Sequence, residues 1–249
     1  MKLSLIIPVR NEERCVVEVV DNLRRVLLRE DIPYEIVIVN DHSTDSTPTI
    51  IQGLAALDNR IRVVDTEEPY GFGLAIRKGL DICQGEVIVI FMGDNSDSAE
   101  DVVVYYRKIL QGYDCVFGSR FIKGSCVVGY PKLKLILNRL GNTLIQLLFF
   151  LKYNDISNAF KAYRRQVIDT VKPLVSQYFN ITAELPLKAI VRGFSYAVVP
   201  ISWNGRLSGV SKYHIRELSR KYLFSIFYVW LEKILLSPDL HQDYLRCKK

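Results

Sequence analysis

The sequence predicts an α/β protein built on a mainly parallel central sheet flanked by helices, and two patterns indicate it. Five apolar runs rich in β-branched residues recur every 26 to 31 residues, at 3–9, 34–41, 61–66, 87–93 and 114–119. The stretches between them have helical spacing, as at Val16, Val19, Val20, Leu23, Val26 and Leu27. Strand then helix, repeated, is typical of βαβ units and a parallel sheet. The second and fourth runs are apolar on both faces, as expected of strands covered on both sides.

The composition narrows the classes of function. The chain has 249 residues, 49% hydrophobic and 24% charged, which suits a globular domain with a substantial core and argues against disorder. Its net charge of +6 suits a phosphate-rich ligand or an anionic membrane surface. No nucleic-acid partner is expected, because aromatic residues are not interleaved with basic ones on a common face. Five scattered cysteines without a CxxC pair argue against a disulfide framework or a zinc site and favour a reducing compartment.

The regular alternation stops after residue 120. Residues 131–153 are predicted to form a long amphipathic helix, in which polar residues recur every four positions along one face, namely Lys134, Asn138, Asn142 and Gln146. A second amphipathic stretch covers 214–236. Its most apolar part, 222–236, has 15 residues and includes Glu232 and Lys233, whereas a bilayer span needs roughly 20 apolar residues. We therefore expect a main domain over 1–212 and a C-terminal amphipathic helix and tail over 213–249, directed to a membrane or a partner.

Polar residues directly after the apolar runs are the first candidates for a site, since open parallel sheets bind ligands beyond the carboxyl ends of their strands. Asp41 ends the second run, where a carboxylate can accept from a nucleobase N–H or from ribose hydroxyls. Asp94 ends the fourth run, where hard oxygen ligands can hold Mg²⁺ or Mn²⁺ if a diphosphate supplies the rest. Asp97 precedes "SAEDVV" and is predicted instead to belong to the N-cap of the next helix.

Eight motifs in order resemble the successive blocks of family 2 glycosyltransferases, nearest to the polyprenyl-phosphate (dolichol-phosphate) hexosyltransferase branch. They are "LSLIIPVRNEE", "EIVIVNDHSTDST", "GFGLAIRKGLD", "GEVIVIFMGDNSD", "CVFGSRF", "DISNAFKAYRRQVI", "AELPLKAIVRGF" and "VPISWNGRLSGVSKY". The resemblance covers about residues 1–215. It implies a GT-A fold that binds a nucleotide-sugar with Mg²⁺ or Mn²⁺ and transfers the sugar with inversion.

The resemblance also implies roles for individual residues. The expected nucleotide-sugar ligands are Pro8, Arg10, Glu12, Asn40, Asp41, Arg77, Gly93 and Asp94. The metal is expected on Asp94 and Ser96. The residues expected to act in catalysis are Asp94, Arg120, Glu184 and Arg206. The acceptor phosphate is expected at Arg120, Lys134, Asn138 and Arg206.

Three positions depart from the family's pattern. Asn40 stands where the first of two aspartates is usual, and Arg10 stands where an aromatic residue is usual. Met92 occupies the first position of the usual Asp-x-Asp metal motif, and a methionine cannot bind a hard cation. Coordination is therefore expected from Asp94, phosphate oxygens, water and a neighbour such as Ser96.

The leading hypothesis is transfer of a hexose from a GDP- or UDP-hexose to a polyprenyl (dolichyl or undecaprenyl) phosphate. The protein is expected to act peripherally on the cytoplasmic face of a membrane. A membrane-anchoring partner and a homo-oligomer are further options. A lipid phosphate is ionised at neutral pH and needs cationic contacts but no general base. Two alternatives stay open. One is a hydroxyl acceptor, with Asp155 or Glu184 as the base. The other is a non-catalytic nucleotide-sugar-binding or scaffold subunit, suggested by the missing aspartates at 40 and 92.

Overall fold

The computed structural model describes residues 1–205 and 215–235, and its first half has the predicted alternation of strands and helices. The elements are β1 (Leu3–Val9), α1 (Val16–Arg29), β2 (Tyr34–Asn40), α2 (Thr47–Leu57), β3 (Ile61–Asp65), α3 (Phe72–Ile82), β4 (Val87–Ile90), α4 (Ala99–Leu110) and β5 (Cys115–Ser119). The predicted strands are confirmed, each to within three residues at its ends.

The second half is more irregular. Its elements are β6 (Cys126–Val128), α5 (Lys132–Phe149), β7 (Lys161–Arg164), α6 (Arg165–Val171), α7 (Ile181–Val191), β8 (Tyr196–Pro200), β9 (Ser202–Asn204) and α8 (Ile215–Leu235). Strands β6 and β9 form a separate small parallel sheet. The division between a main domain ending at 212 and an extension from 213 falls outside the described residues, so it stays a prediction.

The main sheet has seven strands in the order β3-β2-β1-β4-β7-β5-β8. All neighbours pair in parallel except β7, which runs antiparallel to both β4 and β5. The mainly parallel sheet is confirmed, and the antiparallel strand was not predicted. It has only four residues, of which Lys161 and Arg164 are charged, so no apolar run marks it in the sequence.

Helices cover both faces of the sheet, which explains the buried runs in β1, β2 and β4. Alternate strand residues point to opposite faces. Leu5 and Ile7 pack with α1 and α4 on one face, while Ile6 and Val39 pack with α3 and α7 on the other. The carboxyl ends of β1, β2, β4 and β5 consequently reach one common edge, where the candidate site lies.

Helix α5 is oriented with most of its polar row inward and its apolar row outward; Lys134, in its first turn, is exposed. Asn142 of the polar row is 2% exposed, whereas the outward row is 46% to 68% exposed. That outward row consists of Leu133, Ile136, Leu137, Leu140, Leu144 and Leu147. The predicted helix is confirmed over Lys132–Phe149; it ends at Phe150, which adopts a left-handed conformation (φ 57°) and is itself 89% exposed.

Helix α8 packs on α7 by polar as well as apolar contacts. Val229 is fully buried in that interface, and Glu232 lies 3.6 Å from the Lys188 ammonium and 3.4 Å from the Arg192 guanidinium. Five large apolar side chains of α8 point outward, 54% to 68% exposed: Leu223, Phe224, Phe227, Ile234 and Leu235. Within the described parts of the chain, no helix combines the length and hydropathy needed to cross a membrane.

Candidate active site

Asp41 lies at the carboxyl end of β2 and is held in a fixed orientation. Its Oδ1 accepts the Gly71 N–H at 3.0 Å and the Thr66 hydroxyl at 3.3 Å, and the carboxylate is almost fully buried. Its Oδ2 lies 3.8 Å from Nη1 of Arg10, a side chain that is about half exposed. A carboxylate with one oxygen bound by the protein and the other facing an exposed guanidinium can receive a polar ligand.

The other residues predicted for the nucleotide-sugar lie around the same edge but differ in accessibility. Arg10 is exposed, and Glu12 and Arg77 are half-buried. Pro8 is buried within β1. Asn40 is also buried: its amide donates to Asp65 at 2.7 Å and its Oδ1 accepts the Ser43 N–H at 3.1 Å. Asn40 therefore organises the turn after β2, which is a local structural role.

An aromatic pair stands beside Asp41 that the sequence did not reveal. The His42 ring stacks on the Tyr70 ring with centroids 4.1 Å apart and planes 13° from parallel. The two residues are far apart in sequence, so no motif joins them, although they become neighbours when Gly71 binds Asp41. A flat aromatic surface next to a carboxylate suits a nucleobase.

Asp94 is the carboxylate at the end of β4. Its Oδ1 accepts the Ser96 hydroxyl at 2.6 Å and the Ser96 N–H at 3.2 Å. Gly93 permits close packing there, since a Cβ at this position would lie 2.7 Å from Val9 Cγ1. In residues 1–205 and 215–235, no three His, Cys, Asp or Glu side chains are grouped as ligands of one metal ion. A cation bound here would rest on Asp94, with Ser96 as its neighbour.

The prediction that Asp97 caps α4 is wrong. The helix begins at Ala99 with Ser98 at the N-cap, and Asp97 is buried with its Oδ2 accepting the Met92 N–H at 3.2 Å. Burial and the nearby Asp94 charge raise the pKa of Asp97 to about 8. Asp97 is thus a mostly neutral carboxyl at pH 7, tied back to the strand that carries Asp94. The sequence pattern was misleading by one residue, because Ser98 of "SAED" is the N-cap and Ala99 begins the helix.

Arg120 follows β5 and is held by a buried partner. Its Nε and Nη2 donate to the two Asp155 oxygens at 2.8 and 2.7 Å, and its own N–H donates to the same carboxylate at 3.0 Å. Burial alone would lower the pKa of Arg120, but the Asp155 carboxylate raises it above its usual value. The guanidinium also lies 5.3 to 5.7 Å from the ring centroids of Phe121, Tyr130 and Trp203.

Asp155 is in turn surrounded by buried groups. It has no exposed surface, and the nearby Lys161 ammonium is buried as well. Lys161 donates to the carbonyls of Ile156 at 2.9 Å and Thr182 at 3.2 Å, and also to that of Asn158. Burial lowers the pKa of Lys161 to about 7. Lys161 was not identified from the sequence because β7 shows no recognisable pattern.

The acceptor residues predicted on α5 occupy different environments. Lys134 is exposed, and Asn138 is half-buried with its amide donating to Ser157 Oγ at 2.7 Å. Arg139, which the sequence did not single out, packs 4.7 Å from the Phe121 ring centroid. Its Nη1 is buried without a hydrogen-bond partner in the described parts of the chain. Arg139 thus places its guanidinium beside the ring that Arg120 also contacts.

One of the predicted catalytic residues lies in the interior of the protein. Glu184 lies on α7 with no exposed surface; its carboxylate accepts the N–H groups of Val175 and Ser176, each at 2.8 Å. These contacts give Glu184 a structural environment, and its catalytic role stays a prediction. Arg206 lies outside the described residues. The structure therefore brings Asp41, Asp94 and Arg120 to one edge and leaves Glu184 in the interior.

Comparisons with known proteins agree with this architecture. The glucosyl-3-phosphoglycerate synthase from Mycobacterium tuberculosis, crystallised with phosphoglyceric acid, superimposes with a TM-score of 0.69 at 16% identity, covering 93% of this chain and 79% of that one. At that identity the likeness shows the fold, and the predicted GT-A architecture is confirmed.

Sequence relatives are closer. A polyprenol monophosphomannose synthase from Mycolicibacterium smegmatis is 31% identical over 183 residues, covering 71% of this chain and 69% of the relative. The glycosyltransferase YkcC from Bacillus subtilis is 26% identical over 218 residues, covering 88% of this chain and 65% of the relative. These matches confirm the resemblance to the dolichol-phosphate mannosyltransferase-like branch. Glycosyl transferase family 2 itself matches residues 4–172. The chain therefore belongs to glycosyl transferase family 2 and is a glycosyltransferase.

Proposed function

We propose that this glycosyltransferase moves a hexose from a nucleotide-sugar to a polyprenyl phosphate at a membrane surface, with inversion. The observation that carries the proposal is the orientation of α5. Its outward row of leucines and isoleucine offers an apolar surface, and its inward row leads to Asn138 and Ser157 near the Arg120–Asp155 pair. A lipid phosphate requires both an apolar approach and polar contacts for its head.

The buried carboxylates favour an acceptor that is already ionised. Asp155 and Glu184 were the candidate bases for a hydroxyl acceptor, and both have no exposed surface. Asp155 is bonded to Arg120, and Glu184 to two backbone N–H groups. A general base must reach the proton that it removes. A phosphate acceptor removes that requirement.

The donor is a nucleotide-hexose whose nucleoside binds at Asp41, Arg10 and Glu12. The His42–Tyr70 stack stands beside Asp41, and the half-buried Arg77 of α3 is a further proposed ligand. Solved structures of the Mycobacterium tuberculosis synthase contain uridine diphosphate, and the Mycolicibacterium relative is named for phosphomannose synthesis. These names support a UDP- or GDP-hexose as the donor class.

Mg²⁺ or Mn²⁺ fits the residues at the end of β4. Magnesium commonly uses one or two carboxylates and takes its other ligands from substrate phosphates and water, which matches Asp94 beside the Ser96 hydroxyl. When bound, the cation neutralises charge that develops on the leaving diphosphate. The Mycobacterium tuberculosis synthase has been crystallised with Mn²⁺ and uridine diphosphate. Residues Asp94 and Ser96 would hold and orient the ion.

The cationic residues have separate roles in this proposal. Arg120 orients the aromatic wall of Phe121, Tyr130 and Trp203 from its fixed position on Asp155. Lys134, Arg139 and Arg206 supply charge to the acceptor phosphate, with Asn138 as a polar contact.

The proposed location is peripheral, on the cytoplasmic face of a membrane. The outward rows of α5 and α8 support a membrane surface as the partner, and the net charge of +6 adds attraction to anionic lipids. The four cysteines among the described residues are free thiols, in keeping with a reducing compartment. Association with an anchoring partner or a second copy is compatible with the same surfaces.

The direct experiment is transfer of radiolabelled hexose. The protein is incubated with UDP- and GDP-hexoses, Mn²⁺ and vesicles that contain polyprenyl phosphate, and the lipid phase is extracted. The expected result is a labelled lipid with one donor, and its loss in the absence of Mn²⁺. Transfer to a soluble sugar alcohol but never to the lipid would overturn the proposed acceptor.

A further inference from the structure

We propose that Glu184 is a positioning residue of the nucleotide site, acting through residues 175–179, which we name the shelf. The shelf supports the N-terminus of α3, and α3 orients Asp41. This inference rests on the proposed function only in that Asp41 binds the nucleoside. It assigns Glu184 a role in donor affinity, although the side chain contacts no substrate.

The first link joins Glu184 to the shelf. The two carboxylate oxygens each accept one backbone N–H, from Val175 and Ser176, at 2.8 Å. Hydrogen bonds to an ionised acceptor are stronger than neutral ones. Because Glu184 is fully buried on α7 and lies 3.4 Å from the Lys188 ammonium, its own position is fixed. The carboxylate therefore determines where the shelf begins.

The second link joins the shelf to α3. The Gln177 carbonyl accepts the N–H groups of Gly73 and Leu74 at 3.0 and 3.2 Å, which satisfies donors that a helix start leaves unpaired. The Phe72 ring stacks on Phe179 with centroids 4.1 Å apart and planes 7° from parallel.

The two glycines of "GFG" are explained by this contact. A Cβ on Gly73 would lie 2.6 Å from the Ser176 carbonyl oxygen, and a Cβ on Gly71 would overlap the Gln177 carbonyl oxygen. The backbones of α3 and the shelf thus lie in direct contact, closer than any side chain at 71 or 73 would allow. A displacement of the shelf is transmitted to α3 without a flexible intermediary.

The third link joins α3 to the nucleotide site. The Gly71 N–H donates to Asp41 Oδ1 at 3.0 Å, so the start of α3 sets the orientation of the carboxylate. The other oxygen, Asp41 Oδ2, then faces Arg10 and lies 3.8 Å from its Nη1. If the shelf moves, Gly71 moves with it and Asp41 loses its fixed orientation.

Helix α8 supports the same shelf from the other side. Ser225 Oγ lies 2.9 Å from Ser176 Oγ and accepts the Asn180 amide at 2.7 Å, and all three side chains are buried. A substitution of Ser225 therefore perturbs the shelf from α8 and does not alter the residues of Glu184 or α3.

The experiment measures UDP and GDP binding by calorimetry with Mn²⁺, and KM and kcat for the nucleotide-sugar, in Glu184→Ala, Glu184→Gln and Ser225→Ala. For Glu184→Ala we expect the Kd and KM of the nucleotide to rise roughly fivefold or more, with kcat changed less. Glu184→Gln retains one acceptor oxygen and is expected to fall between the alanine variant and the wild type. Ser225→Ala is expected to raise Kd about twofold.

The matched control is Val229→Ala. Val229 is buried on the same face of α8 but makes no hydrogen bond to the shelf, so its loss lowers the melting temperature and is expected to leave nucleotide Kd unchanged. If Glu184→Ala does not fold, Ser225→Ala decides. Wild-type binding with equal Kd in the folded shelf variants would overturn the positioning role and leave the proposed function standing; a wild type that binds neither nucleotide would overturn both.

Discussion

Because Met92 occupies the first position of the predicted metal motif after β4, Asp94 is the one carboxylate left in that motif. Asp97, three residues further on, has a different environment. Asp94 accepts the Ser96 hydroxyl, while Asp97 accepts the Met92 N–H, and both carboxyls are buried. Two ionised carboxylates so close together would repel, and burial adds to that cost. With its pKa raised to about 8, Asp97 is mostly protonated at neutral pH. Asp97 is therefore a neutral buried group, and Asp94 remains the residue predicted to hold the metal.

This division predicts opposite results for the same substitution at the two positions. Asp94→Asn is expected to abolish the Mn²⁺-dependent part of nucleotide binding, since it removes the only negative charge of the metal site. Asp97→Asn, which resembles the protonated carboxyl, is expected to retain it. Calorimetry of nucleotide binding with and without Mn²⁺ measures both. A loss of similar size in Asp97→Asn would show that Asp97 acts as a charged ligand.

Lys161 predicts a pH dependence of stability. Its pKa is lowered from 10.5 in the unfolded chain to about 7 by burial, so the unfolded state binds more protons between those values. The contribution of Lys161 to the free energy of unfolding therefore increases as the pH rises from about 7 towards 10. We expect the difference in unfolding free energy between wild type and Lys161→Met, measured in urea, to grow in favour of the wild type over that range. A constant difference would contradict the lowered pKa.

Sequence reasoning was most successful for residues that end a regular strand. Asp41 and Asp94 follow long apolar runs, so their place at the carboxyl edge could be predicted from spacing alone. Arg120 directly follows the fifth run and could be placed in the same way, but its partner Asp155 could not be predicted. The environment of Glu184 also depends on groups far away in sequence, the N–H groups of the shelf. Periodicity predicts which face of a helix or strand a residue occupies, but it does not predict which residue far away in sequence contacts it.

At the level of elements, α5 shows that amphipathic spacing does not reveal orientation. The four-residue recurrence of its polar side chains predicted the helix correctly. The structure then places that row, apart from the exposed Lys134, against the protein and exposes the apolar row. In a helix on a soluble domain the opposite arrangement is expected, and a large exposed apolar surface marks an interaction site.

The exposed apolar row of α5 predicts that the protein binds membranes and that one charged residue introduced into this row weakens the binding. Leu140→Glu is expected to lower affinity for anionic vesicles roughly tenfold, because burial of a leucine contributes about 1.5–3 kcal/mol. Leu57→Glu on α2 is the control: Leu57 is 83% exposed but lies outside both apolar rows. Vesicle sedimentation measures the partition, and melting temperatures verify the folds. Equal loss in both variants would point to charge alone and contradict a docking role of α5.

For the whole molecule, the outward rows of α5 and α8 raise the question of whether both helices dock on one surface. The two helices are in contact, and the Lys233 ammonium of α8 donates to the Phe149 carbonyl at the end of α5 at 3.1 Å. If one planar membrane receives both rows, their contributions to binding free energy add. We expect Leu140→Glu and Phe227→Glu to multiply their losses of vesicle affinity in the double variant. A double variant no weaker than the stronger single one would indicate that only one helix docks.

The overall fold could be predicted from the sequence as far as residue 120 and only in part beyond it. In the first half each strand lies within an apolar run of at least six residues, and a helix separates it from the next strand, so local pattern and sheet order agree. In the second half β6, β7 and β9 have three or four residues each. Segments that short are stabilised by their neighbours in the sheet, so their own sequences contain little signal.

The direction of β7 determines which part of the chain can be varied to alter acceptor choice. A parallel strand delivers the residues that follow it to the carboxyl edge, but β7 runs the other way, so the residues that precede it arrive there. The residues just before β7 consequently approach the carboxyl edge, where Asp155 binds Arg120, whereas α6 leads away from it. Grafting experiments that exchange specificity between relatives should therefore transplant the segment before β7 together with α5, and leave the segment after it unchanged.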